Sequence, residues 1–104
     1  MKKIHQDAIY LALSTIPSGQ VIAYGQLAKL AGLTNGARQV GKVLCNLPEH
    51  SSLPWHRVVN AQGKISLPQD SPAYLKQQQR LIAEGVAIKN GKINLRVYGY
   101  NTET

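Results

Sequence analysis

Cysteine is nearly absent from this chain: Cys45 is the single one among 104 residues. An internal disulfide is therefore excluded, and a reducing compartment is the simpler expectation. Carboxylates are scarce as well. Five Asp and Glu stand against twelve Lys and Arg, giving a net charge of +7 and a pI near 9.8. Between Asp7 and Glu49 there is no acidic residue at all, whereas Lys29, Arg38 and Lys42 fall in that interval. Such a stretch attracts polyanions, although a merely basic soluble protein would share the property. No apolar run is long enough to cross a bilayer. Lys2-Lys3 followed by Ile4-His5-Gln6-Asp7 lacks the apolar segment of a secretory leader, so a soluble, cytoplasmic protein is expected. Repeats, linkers and low-complexity segments are missing too. What is present is 43% apolar and 16% charged residues, enough for a core and unlike a disordered tail. The length suits one compact domain over residues 1–104.

Ile4, Ala8, Leu11 and Ala12, with neighbouring Ile9, recur at helical spacing, and Pro17-Ser18-Gly19 ends that helix. Val21-Ile22-Ala23-Tyr24 reads as a short extended lead into a helix over Gln26–Ala31, which Gly32 stops in a left-handed conformation. Thr34-Asn35-Gly36 is a turn, with Asn35 placed to cap a second helix from about Ala37 to Leu47. Val40, Val43, Leu44 and Leu47 give that helix an apolar face and leave Arg38, Gln39 and Lys42 on or near the other. Cys45 is read as a small buried hydrophobe on the core side. Helix, glycine-containing turn and basic second helix over about 26–47 form a helix-turn-helix pattern, which αα-hairpins that bind nothing also show. Beyond an irregular stretch from Glu49 to Leu53, Val58-Val59 suggests a short strand and Asn60 to Gly63 a turn. Ser71-Pro72 supplies an N-cap and first-turn proline for a helix through Leu75, Leu81 and Ile82, closed by Glu84-Gly85. Asn90-Gly91, between Val86–Lys89 and Lys92–Leu95, is the strongest hairpin signal.

The segment Pro54-Trp55-His56-Arg57-Val58-Val59 resembles the active-site signature of the O6-alkylguanine-DNA alkyltransferases, with Trp55 where that family has its alkyl-accepting cysteine. Ile16-Pro17-x-Gly19-x-Val21, Tyr24-Gly25-x-Leu27-Ala28, Ala37-Arg38-x-Val40-Gly41 and Glu84-Gly85 match the same family in order and at near-family spacing, covering about Asp7 to Gly85. The exchange of cysteine for tryptophan is similar to the alkyltransferase-like subfamily, whose members bind the lesion without repairing it. The resemblance implies an α/β fold: a winged-helix-like helix-turn-helix domain, like the C-terminal domain of the alkyltransferases, with short β-hairpins. Two departures stand out. An Asn-Pro hinge is replaced by Leu47-Pro48, with Asn46 one place earlier, and Lys64-Ile65-Ser66-Leu67-Pro68 lacks the family's aromatic and glycine pattern.

Elementary chemistry agrees with the subfamily. Alkyl transfer needs a soft nucleophile such as a thiolate. An indole has no basic lone pair, and its N–H only donates. What Trp55 offers is an aromatic surface for a base or its alkyl group. The resemblance implies a lesion pocket of Tyr24, Trp55, His56, Val58, Ser66 and Glu84, with His56 and Glu84 as scaffolding where a transferase uses them to activate the thiol. It implies DNA contacts from Tyr24, Ala37, Arg38, Gln39, Gly41 and Lys42. Arg38 corresponds to the arginine that fills the gap left by the extruded nucleotide, a role suited to a planar, permanently charged guanidinium. The expected function is recognition of O6-alkylguanine in duplex DNA by nucleotide flipping. The protein would shield the lesion from an alkyltransferase and flag it for nucleotide excision repair, acting as a monomer with no cofactor and no metal. Excision repair proteins are its implied partners. Residual alkyl transfer, hydrolysis through His56 and Glu84, and lesion-independent regulation through the helix-turn-helix are the competing readings.

Overall fold

The computed structural model describes residues 3–33, 36–48 and 51–100. Helix α1 (Lys3–Ser14) is followed by β1 (Ile22–Ala23), α2 (Tyr24–Leu30) and α3 (Ala37–Cys45). A 3-10 turn over Trp55–Arg57 runs into β2 (Val58–Val59), and α4 (Pro72–Ala83), β3 (Ile88–Lys89), β4 (Lys92–Ile93) and α5 (Leu95–Tyr98) complete the order. β1 and β2 pair in parallel, Ile22 opposite Val58 and Ala23 opposite Val59. β3 and β4 form an antiparallel hairpin.

Two apolar clusters support these elements. The first joins Ile9, Leu13 and Ile16 to Ile22, Leu27, Val40, Val43 and Val58, so it lies beneath the α2–α3 pair and α1. The second joins Val21, Val59, Ile65, Tyr74, Leu81, Val86 and Ile93, beneath α4 and the hairpin. The strand pair separates them: Ile22 and Val58 belong to one cluster, Val21 and Val59 to the other, as strand alternation requires.

Helix α1 buries Ile9, Ala12 and Leu13, while Leu11 is 72% exposed, because the buried stripe runs through Leu13 and Ile16 and turns Leu11 outward. The side chain of Ile4 and all of Thr34, Asn35 and Glu49 lie outside the described residues. α2 begins at Tyr24, earlier than the apolar spacing indicated, and the Gln26 side chain accepts from the Ala23 N–H at 3.2 Å. Its end is as expected, with Gly32 at φ +82°. α3 is capped by Gly36 and ends at Cys45, two residues short of Leu47. α4 has the expected Ser71 cap, whose Oγ accepts from the Tyr74 N–H at 3.2 Å. Of its apolar residues, Leu81 is buried and Leu75 and Ile82 are half-exposed. The Asn90-Gly91 turn has both residues at positive φ, 53° and 73°, the conformation of a type I′ hairpin. No described helix is long and apolar enough to cross a membrane.

Candidate functional site

Successive residues of an α-helix are turned by about 100°, so Ala37, Arg38, Gly41, Lys42 and Cys45 share the side of α3 away from Val40. That side forms one wall of a cavity of about 910 Å3, which also takes in Leu44 and the following Asn46, Leu47 and Pro48. The volume is in the range of small-molecule sites, roughly 300–1,000 Å3. Facing α3 are Ala73, Lys76 and Gln77 of α4, spaced at i, i+3 and i+4. Trp55, Tyr24, Ser66 and Leu67 complete the lining.

Cys45 is exposed, not buried. It lies about 140° around the helix from Val40, a geometry that overrides its neighbourhood with Leu44. Gln39, by contrast, is off this wall: it is half-buried, and its Oε1 is enclosed without a partner among the described residues. Arg38 and Lys42 are exposed on the wall, and Gly41 presents no side chain between them.

The aromatic of the signature is held by the turn before it. Pro54 precedes the 3-10 turn, and the Arg57 N–H donates to its carbonyl at 3.1 Å. Trp55 is half-buried, stands edge-on to His56 with centroids 6.2 Å apart, and has the Arg80 guanidinium 5.6 Å from its centroid. The last contact is of cation–π type. At the rim, the hydroxyls of Tyr24 and Ser66 are hydrogen-bonded at 2.9 Å, tying the start of α2 to the segment after Lys64.

His56, Val58 and Glu84 do not line the cavity. Val58 is 1% exposed because β2 inserts between the two clusters, with Val58 pointing into the first. Glu84 caps the C-terminus of α4, where the helix dipole disfavours a negative charge. Arg57 offsets this with Nε to Oε1 at 3.0 Å and Nη2 to Oε2 at 2.6 Å. The backbone N–H of Gly19 donates to Oε1 at 3.3 Å. Burial alone would raise this carboxyl; the Arg57, His56 and Gly19 donors outweigh it and hold it down at about 2.

An ionised Glu84 can only accept, so His56 donates to it from Nε2 at 2.8 Å. Burial lowers the His56 pKa despite Glu84, so the ring is neutral at neutral pH and Nδ1 keeps its lone pair. That atom is buried and has no partner among the described residues. The backbone on either side of Arg57 is held by Gln77, which is 2% exposed and donates to the carbonyls of His56 at 3.1 Å and Val58 at 2.9 Å.

Sequence reasoning overlooked Arg57, Gln77, Lys76 and Arg80. The repeat Ala73, Lys76, Gln77, Arg80 was the available signal, a single face of α4 directed at the signature. Among the described residues, no group of three His, Cys, Asp or Glu side chains is assembled that could hold a metal.

Residues 5–86 match the family described as 6-O-methylguanine DNA methyltransferase, DNA binding domain. The chain is 50% identical to the DNA base-flipping protein of Escherichia coli over 94 residues, covering 89% of this chain and 71% of that one. It is 41% identical to alkyltransferase-like protein 1 of Schizosaccharomyces pombe over 80 residues, 77% and 74% of the two chains. The chain belongs to the alkyltransferase-like family. The fold agrees: S. pombe Atl1, solved in complex with damaged DNA containing O6-carboxymethylguanine, superposes with a TM-score of 0.90 at 35% identity, over 97% of this chain and 98% of that one. The O6-alkylguanine-DNA alkyltransferase expectation for the architecture therefore holds, with helices dominant and the strands only two residues long.

Proposed function

We propose that this alkyltransferase-like protein binds O6-alkylguanine in duplex DNA, turns the nucleotide into the cavity beside Trp55, and holds it chemically unchanged. The single observation that carries this is a roomy cavity walled by Trp55, an aromatic with no nucleophile, in the segment that resembles the transferases' signature. Support comes from the basic wall of Arg38, Lys42 and Lys76 around the same space, suited to phosphates, and from the relatives named for base flipping and for a damaged-DNA complex. Arg38 fills the vacated stack, Tyr24 and Ser66 border the extruded nucleotide, and His56 and Glu84 hold the turn that carries Trp55. The protein acts as a monomer in the cytoplasm, blocks repair by a transferase, and passes the lesion to nucleotide excision repair.

Exposure of Cys45 on the cavity wall favours one rival, alkyl transfer to that thiol. Incubation with a duplex carrying labelled O6-methylguanine separates the readings. Tight binding with the label left on DNA is the expected result. Label on the protein, absent in Cys45→Ser, would make it a transferase; restored guanine with free label would make it a hydrolase; equal affinity for undamaged DNA would make it a lesion-independent binder.

A further inference from the structure

Lys89 and Lys92 are direct cross-strand partners at the end of the β3–β4 hairpin. Lys64 bridges Lys92 from the opposite side. Directly opposed residues share a face of the sheet, so Lys64, Lys92 and Lys89 form a row across three adjacent strands. All three are exposed. Lys89, Lys92 and Arg96 border a shallow groove of about 650 Å3, and no carboxylate among the described residues borders it. Like charges placed directly opposite each other destabilise a hairpin. Both ion pairs among the described residues terminate on Glu84, so none relieves this row.

The row also has a defined relation to the cavity. Lys64 and Ser66 are exposed and Ile65 between them is buried, so Lys64 and Ser66 face the same side of an extended segment. Two residues of extended chain span about 7 Å, roughly two base steps of about 3.4 Å along a DNA strand. A DNA strand that follows this segment from Ser66 would meet Lys64 within about two base steps.

We infer that Lys64, Lys89, Lys92 and Arg96 form a second, sequence-independent phosphodiester contact, gripping the duplex that flanks the extruded nucleotide. This rests on the cavity being the lesion site. The duplex backbone supplies the missing counter-charge for the lysine row, and the row contributes affinity without reading the base.

The test uses the full chain and two otherwise identical duplexes, one with O6-methylguanine and one intact, titrated across a salt series. In the triple variant Lys64→Gln, Lys89→Gln, Lys92→Gln, affinity for both duplexes should fall by the same factor. The slope of log affinity against log salt should become shallower by about 2–3, near 0.9 for each phosphate that the variant no longer neutralises. The matching triple Lys→Arg variant should keep the wild-type slope. Thermal unfolding of the Gln variant should show no loss of stability, since like-charge pairs are being removed. An unchanged slope in a stable Gln variant overturns the inference. So does row-dependent binding to phosphatidylserine vesicles with DNA binding unaffected. Wild type lacking any lesion preference, with the slope still dropping in the variant, would sink the lesion-site reading and leave the phosphate contact standing.

Discussion

Arg57 and Glu84 meet as two parallel forks, Nε on Oε1 at 3.0 Å and Nη2 on Oε2 at 2.6 Å. From Nη1, Arg57 also donates to the Ile16 carbonyl at 2.7 Å. One guanidinium thus connects the turn carrying Trp55, the end of α4 and the loop after α1. Arg57→Ala would leave a largely enclosed carboxylate without its chief partner, a change that costs on the order of 2–4 kcal/mol. Arg57→Lys cannot rebuild the fork and should recover only part of the loss. Denaturant unfolding of the three proteins measures both, and an Arg57→Ala protein as stable as wild type would refute the assignment.

Acid should weaken the fold in two stages. The neutral His56 has its pKa lowered in the folded state, so the unfolded chain binds a proton first. That stabilisation is complete above about pH 6.5 and is lost as pH falls below it. Glu84 is also lowered, from 4.5 to about 2, so its contribution is present above 4.5 and drains away between 4.5 and 2. Unfolding free energy measured from pH 8 to pH 3 should therefore fall first below 6.5 and more steeply below 4.5. His56→Gln should remove the upper stage, while the lower stage, set chiefly by Arg57, should persist. A wild-type profile that is level between pH 6.5 and 5 would contradict the lowered His56.

Tyr24→Phe removes the hydroxyl that meets Ser66 at the rim. The bond is exposed, so stability should change little. Lesion binding should weaken by about 0.5–1.5 kcal/mol, the net worth of one such bond. Ser66→Ala should have a similar effect, and the double variant should lose less than the sum. Full additivity in the affinity cycle would show that the two hydroxyls act separately.

Arg38→Ala should weaken binding to lesion DNA by on the order of 1–3 kcal/mol, given the unstacking and unpairing that flipping requires. A base analogue that fluoresces when unstacked, placed at the target, should report less extrusion. Unchanged fluorescence together with unchanged affinity would remove Arg38 from the opening step.

Adduct size separates two sources of lesion preference. Loss of the N1 proton on O6 alkylation cheapens extrusion equally for all adducts. Burial of the alkyl group beside Trp55 adds about 25 cal/mol per Å2 and grows with size. Affinity should therefore rise from methyl to larger groups until the cavity is full, and Trp55→Ala should flatten that rise. A flat wild-type series would count against Trp55 as the reading surface.

Local chemistry made much of this fold legible. Gly32, Ser71-Pro72, Glu84-Gly85 and Asn90-Gly91 act through backbone angles and caps that depend on adjacent residues alone, and each does what its type dictates. The positions that escaped depend on long-range packing. Leu11, Leu75 and Ile82 have helical spacing but face away from the layer that forms. Cys45 required the angular position on α3 rather than the apolar character of its neighbours. At the site, the family resemblance implied a pocket containing Tyr24, Trp55 and Ser66, and these three line one cavity. It placed Val58 there too, because a motif records adjacency in sequence and alternation along β2 sends Val58 to the core.

Gln77 holds two backbone carbonyls of the signature with one buried amide. The turn bearing Trp55 therefore moves with α4 as one piece and cannot loosen residue by residue. Accommodation of different adducts then falls to other side chains of the cavity wall, Leu67 and Lys76 among them, and to the DNA itself. In entropic terms, the ordering cost of recognition falls mainly on the nucleic acid. Slow amide exchange across Arg57 to Val59, with and without DNA, would be the sign of such a ready-made receptor.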